Sequence, residues 1–128
     1  MAPQEGPTPD KLELGRESYA RRAWKEAYDS LSQADQAAPL EAEDLELLAI
    51  SAYMLGRSDD FLNVLERAHH MYLGVGEALP AARCAVYLGI NLAIRGEMGR
   101  ATGWLGRAQR LVERPGQLPG RALLRRIE

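Results

Sequence analysis

The chain has a single cysteine, Cys84, a single phenylalanine, Phe61, and only two lysines among its 16 basic residues. One cysteine excludes an internal disulfide and a thiolate metal cluster. The scarcity of β-branched and aromatic side chains argues against a sheet core. Charge interrupts every apolar stretch within a few residues, so no segment reads as a membrane span. The opening MAPQEGPTPD lacks the basic and apolar regions of a secretory signal, which leaves the cytoplasm as the expected compartment. No Ser/His/Asp set, no carboxylate pair in an apolar pocket and no phosphate-loop lysine can be assembled. Neither enzymatic activity, nor a cofactor, nor a resident metal is therefore expected.

What is present is the composition of one ordinary globular domain: 128 residues, 46% hydrophobic and 27% charged. The net charge of −2 hides an uneven distribution. Residues 1–66 carry 14 acids and 6 bases, whereas residues 67–128 carry 4 acids and 10 bases. Such polarity bears on partner choice more than on fold.

Ala, Leu, Glu and Arg dominate, and these are strong helix formers. Leu45, Leu48, Ala49, Ala52 and Leu55 make one apolar stripe at helical spacing; Phe61, Leu65, Ala68 and Tyr72 make another. Thr8-Pro9 reads as a helix start and Ala38-Pro39 as a stop. Gly56 and Gly96 stand where C-terminal caps belong, and Ser58 reads as the N-cap of the helix that follows Gly56. The pattern predicts helices near 9–22, 25–37, 41–55, 59–73, 80–95 (opened by Pro80) and 98–113, and a short one near 119–127.

The helices pair, and the pairs repeat. Ala27, Leu31 and Ala34 recur as Phe61, Leu65 and Ala68, then as Ala101, Leu105 and Ala108, with offsets of 34 and 40 residues. Leu14-Gly15, Leu48-Ala49 and Leu88-Gly89 recur in the same register. The six extra residues of the second offset fall in the connector GVGEALPA, 74–81. A 34-residue helix–turn–helix period resembles the tetratricopeptide repeat (TPR). Phe61 in place of a small residue and Leu73 in place of a proline are the departures of the second unit. The run YMLGRSDDFLNVLERAHHMY and the following ARCAVYLGINLAIRGEMGRATGWLGRAQRLVE are similar to the repeat region of actinobacterial LuxR-type (MalT-like) transcriptional regulators. The resemblance implies an all-α solenoid of three TPR-like helix pairs, 9–39, 41–74 and 80–114. A disordered lead-in, 1–8, would precede them, and a linker with a C-terminal capping helix, 115–128, would follow.

In such a stack the first helix of each pair lines a concave surface. The residues expected there are Arg16, Tyr19, Glu46, Ile50, Tyr53, Met54, Arg83, Val86, Ile90 and Ile94. A mostly apolar trough with charged entrances suits a helix or extended peptide. The expected function is non-catalytic binding of a protein or peptide in regulation. Sensing of a small molecule or signalling peptide, and self-association with the trough covered by a second copy or the chain's own tail, stay open beside it.

Other features have plainer readings. RGEMGRATGWLG, 95–106, packs four glycines into twelve residues, yet it has neither the preceding strand nor the lysine of a phosphate loop. Gly103 and Gly106 flank Trp104 inside a helix at about 1 kcal/mol each, so close packing by another segment or chain is expected there. Trp104, Gly103, Gly106, Arg100 and Arg107 form a candidate interface that would serve a homodimer. Arg100, Arg107, Arg110 and Arg114 form a stripe without aromatic interleaving, read mainly as a solvated convex face. Direct nucleic-acid binding is not expected. His69-His70 reads as surface or half-buried histidine, because adjacent helical positions diverge by about 100° and make poor joint ligands. Cys84, in the first turn of the helix that Pro80 opens, reads as a plain buried thiol. The acidic run EAEDLE, 41–46, reads as a solvated first turn.

Overall fold

The computed structural model describes residues 10–113, in which six helices and no strands occur. They are α1 (Lys11–Ala20), α2 (Trp24–Ala37), α3 (Ala42–Met54), α4 (Ser58–Gly74), α5 (Ala78–Ile94) and α6 (Met98–Glu113). The expected lead-in at 1–8, the Thr8-Pro9 start and the capping helix at 119–127 lie outside the described residues. Asp10 is the observed N-cap of α1, its carboxylate accepting from the Glu13 amide at 2.7 Å. Ser58 is the first residue of α4 rather than its cap, since the Arg57 carbonyl already accepts from the Phe61 amide.

Four turns share one hydrogen-bond pattern. The amides of Ala23, Arg57, Glu77 and Glu97 each donate to the carbonyl five residues back, at 2.8–2.9 Å. The residue just before each donor adopts a positive φ: Arg22 at 62°, Gly56 at 77°, Gly76 at 80° and Gly96 at 85°. This is the helix-terminating motif in which a left-handed residue redirects the chain and satisfies the last carbonyls. Gly56 and Gly96 take the expected role. Ala38 ends α2 in extended conformation ahead of Pro39, again as expected.

The six-residue insertion is absorbed almost wholly as helix. With 34- and 40-residue offsets as the frame, α4 runs three residues further than α2, and α5 starts four residues earlier than α3. The connector at 75–77 is one residue shorter than the one at 38–41. The start of α5 at Ala78 corrects the expectation that Pro80 opens the helix. Pro80 sits in the first turn, where the amides have no intrahelical acceptor and a missing N–H costs nothing.

The chain divides at Val64/Leu65 into two compact units, with the division falling inside α4. In the first unit α1 packs on α2, and α3 on both. Leu31, Leu45, Ala27, Ala49 and Ala52 are fully buried there. In the second unit α5 packs on α6, around buried Leu65, Ala68, Tyr72, Leu88, Leu92, Ala101 and Ala108. Each buried leucine contributes roughly 1.5–3 kcal/mol.

One interlock occurs in both units. A Cβ added at Gly15 would lie 2.6 Å from Leu31 Cγ, and one added at Gly89 would lie 2.6 Å from Leu105 Cγ. At both places a leucine crown occupies the space of the missing methyl, so an alanine there would force that leucine to shift. Leu31 is fully buried, but Leu105 is 40% exposed.

Candidate basic and aromatic site

The residues expected to line a trough fall on α1, α3 and α5. In the first unit Ile50, Tyr53 and Met54 are exposed, Glu46 is half-buried, and Tyr19 is half-buried with its ring 5.5 Å from Trp24. Tyr53 also stacks at 5.2 Å on Phe61, the residue that departs from the small-residue pattern. In the second unit Val86, Ile90 and Ile94 recur every four residues along the exposed side of α5, with Ile94 77% exposed. Arg83, one turn earlier, is exposed and lies 5.9 Å from the Tyr72 ring centroid.

Arg16 is held rather than poised at an entrance. Its Nε and Nη2 donate to the two carboxylate oxygens of Asp44 at 2.9 and 2.8 Å. Asp44 is only 4% exposed, which corrects the reading of 41–46 as a wholly solvated turn. The alternation of that turn explains the difference: Asp44 lies on the buried side with Leu45, while Glu41 and Glu43 face solvent. The bond to Asp44, then its charge, raises the Arg16 pKa above its ordinary value. A second clasp in this unit joins Tyr28 to Asp60, the hydroxyl donating at 2.6 Å, while Arg57 covers the Tyr28 ring at 4.7 Å. Donation to Asp60 is the main reason the Tyr28 pKa is raised.

The densest polar construction is in the second unit, around Trp104. His69 is fully buried, unlike the exposed His70, which corrects the surface reading for the first of the pair. Its Nδ1–H donates to the Ala81 carbonyl at 2.8 Å, so Nε2 is left as the acceptor. Arg107 Nη1 reaches that nitrogen at 3.5 Å, a long contact. The same guanidinium lies 4.7 Å from the Trp104 ring centroid, and His69 meets Trp104 edge-on at 5.0 Å. Burial lowers the His69 pKa first; the Ala81 bond opposes this, and the charges of His70 and Arg107 reinforce it. His69 is thus a neutral, single-tautomer strut that fixes one guanidinium against one indole.

Arg100, Gly103, Trp104, Arg107 and Arg110 line a cavity of about 350 Å³ on α6. Four of the five candidate interface residues are in or beside this cavity, and Gly106 adjoins it through Arg110. Arg100 and Arg110 are exposed, as a solvated stripe requires, whereas Arg107 is half-buried over Trp104. The absence of aromatic interleaving is corrected: positions 100, 104 and 107 are spaced by four and three, and share a face. Arg114 lies outside the described residues. No segment packs against the glycines among the described residues. A Cβ at Gly103 would meet nothing within 4 Å, and one at Gly106 would meet only Arg110 Nη1 at 3.4 Å.

Cys84 is buried in the second turn of α5, not the first, because the helix starts early. No group of three or more potential metal ligands occurs among the described residues. No helix is long and apolar enough to cross a membrane among the described residues. No protein-family profile matches the chain, and no curated protein matches it either.

Proposed function

We propose that the chain is a non-catalytic, TPR-like helical-repeat module that binds a protein or peptide, related to the repeat region of LuxR-type regulators and acting in the cytoplasm. On this reading residues 9–39, 41–74 and 80–114 are three stacked helix pairs, and 115–128 caps them. The recurrence of the Gly15–Leu31 and Gly89–Leu105 interlocks 74 residues apart supports the repeat, since 74 is the sum of the two offsets.

The observation that carries the function is the ridge of Val86, Ile90 and Ile94 on α5. The same helix buries Leu88 and Leu92 on its other side, so the ridge is a second apolar face left open to solvent. Exposed apolar stripes of this kind mark interaction sites. The ridge spans about 12 Å at 1.5 Å per residue, the length of two turns of a partner helix. An amphipathic helical peptide is therefore the ligand, with anchors one turn apart.

The test is selection of amphipathic peptides against the wild-type protein, followed by titration of Ile90→Glu. Binding weakened at least tenfold, with an unchanged circular dichroism spectrum, supports the reading. Equal binding by both proteins overturns it. A solution mass that rises with concentration in the wild type but not in Ile90→Glu assigns the ridge to a second copy instead.

A further inference from the structure

We propose that the cavity on α6 is a binding site for a small aromatic phosphate monoester, distinct from the apolar ridge of α5. Its charge is the first argument. Arg100, Arg107 and Arg110 line it, and no carboxylate is among its lining residues within the described part of the chain. Glu97 is bonded to Arg100 at 3.0 Å, and that contact leaves two of the three guanidinium charges unmatched. Forked guanidinium groups bind dianionic oxygens in pairs, which is the recognition chemistry of phosphate.

The second argument is order. Arg107 is pinned between the Trp104 ring at 4.7 Å and His69 Nε2 at 3.5 Å, and His69 is itself locked to the Ala81 carbonyl. A guanidinium fixed before binding loses little rotamer freedom when an anion arrives. A neutral histidine is the proper strut, because it accepts from Arg107 and adds no competing charge.

The third argument is the floor. Gly103 occupies the arginine stripe itself, between Arg100 and Arg107, and among the described residues nothing lies within 4 Å of where its Cβ would be. A helical glycine with open space above it is unfavourable for the helix and useless for packing. Here it keeps the middle of the cavity empty. The hollow is open to solvent and holds about 350 Å³, room for one ring and its phosphate. Trp104 supplies the apolar wall for that ring.

The experiment is a fluorescence titration of the Trp24→Phe protein, in which Trp104 is the remaining indole. Phenyl phosphate is the probe, with inorganic phosphate and phenol as its two fragments. The expected result is saturable binding of phenyl phosphate at least tenfold tighter than either fragment, weakening steeply as salt rises. Arg110→Gln should lower the affinity at least fivefold. Gly103→Leu should raise the thermal midpoint yet abolish binding, a divergence that a purely structural glycine would not give. Absence of a saturable signal overturns the proposal, as does equal affinity for phosphate and phenyl phosphate. Unchanged binding in Gly103→Leu overturns it too. Adenosine 5′-phosphate is the further arm: tighter binding than phenyl phosphate assigns the ring to a nucleotide, and weaker binding to a single-ring compound.

Discussion

The hairpin of α1 and α2 and the hairpin of α5 and α6 use the same backbone grammar for different ends. Both end the first helix with the five-residue-back hydrogen bond, and both seat a leucine of the second helix over a glycine of the first. They differ in what surrounds that frame. Leu31 is sealed, whereas Leu105 is part-exposed, and Arg22 takes the strained position that Gly96 takes freely. A further contrast sits one repeat apart, at Asp35 and His69, 34 residues from each other. Asp35 accepts from the Leu40 amide at 3.1 Å, while His69 donates to the Ala81 carbonyl at 2.8 Å. Each ties its helix to the chain that follows, with opposite hydrogen-bond polarity. The lesson is that the repeat frame conserves geometry, while the polar positions carry the local chemistry.

The largest effect should come from cutting the two tethers. His69→Ala removes a fully buried ring and its hydrogen bond to the Ala81 carbonyl, which should cost about 2–4 kcal/mol in urea unfolding. Asp35→Ala should cost less, about 1 kcal/mol for the bond to the Leu40 amide, since Asp35 is half-buried. Equal losses would show that the two tethers are interchangeable. Acid should reveal the same asymmetry. The His69 pKa is below its ordinary 6.5, so the unfolded chain takes up the proton first as pH falls. His69-linked stability is therefore full above 6.5 and is lost below it, at no more than about 1.4 kcal/mol per pH unit. His70, Arg107 and Glu66 all face this group, and His69→Gln should flatten the dependence between pH 6.5 and 5 relative to wild type.

The interlocks come next. Alanine at Gly15 should destabilise by about 1–2 kcal/mol, the overpacking cost less the gain in helix propensity. Alanine at Gly89 should cost under about 1 kcal/mol, because the part-exposed Leu105 has room to swing outward. Chemical denaturation of the two variants side by side measures the difference. The reverse order would mean that the exposed crown of Leu105 is covered in solution.

The smallest effect concerns the turns. Arg22→Gly should stabilise by about 0.5–1 kcal/mol by removing a left-handed non-glycine residue, as a raised thermal midpoint. Gly96→Ala should lose about 1 kcal/mol for the opposite reason.

Most of the fold was legible because its signals are local. Helical periodicity gave α6 at its observed bounds and placed the ends of α2 to α4 within a residue. Glycine marked two of the four turns; Arg22 could not be read, since nothing in its side chain favours a positive φ. The burial of Asp44 depends on Arg16, 28 residues away, a pairing with no periodic signature. His69 did carry a signal. Leu65, His69 and Tyr72 share a helical face, and the polarity of imidazole masked it. Arg100, Trp104 and Arg107 likewise share a face, so the basic-aromatic cluster was readable from spacing alone. The cavity beside Gly103 was not, because empty space leaves no mark in a sequence.

The four hydrogen-bonded turns also bear on how quickly the chain finds its structure. Each closes a loop of a few residues, and each lets two neighbouring helices meet almost as soon as they form. Closing such short loops costs little entropy, and chains dominated by near-neighbour contacts fold in microseconds to milliseconds. Either hairpin can serve as the starting point, with the αL residue at its turn setting how often the attempt succeeds. On this account Arg22 handicaps the first hairpin, and Gly96 gives the second a head start in nucleation.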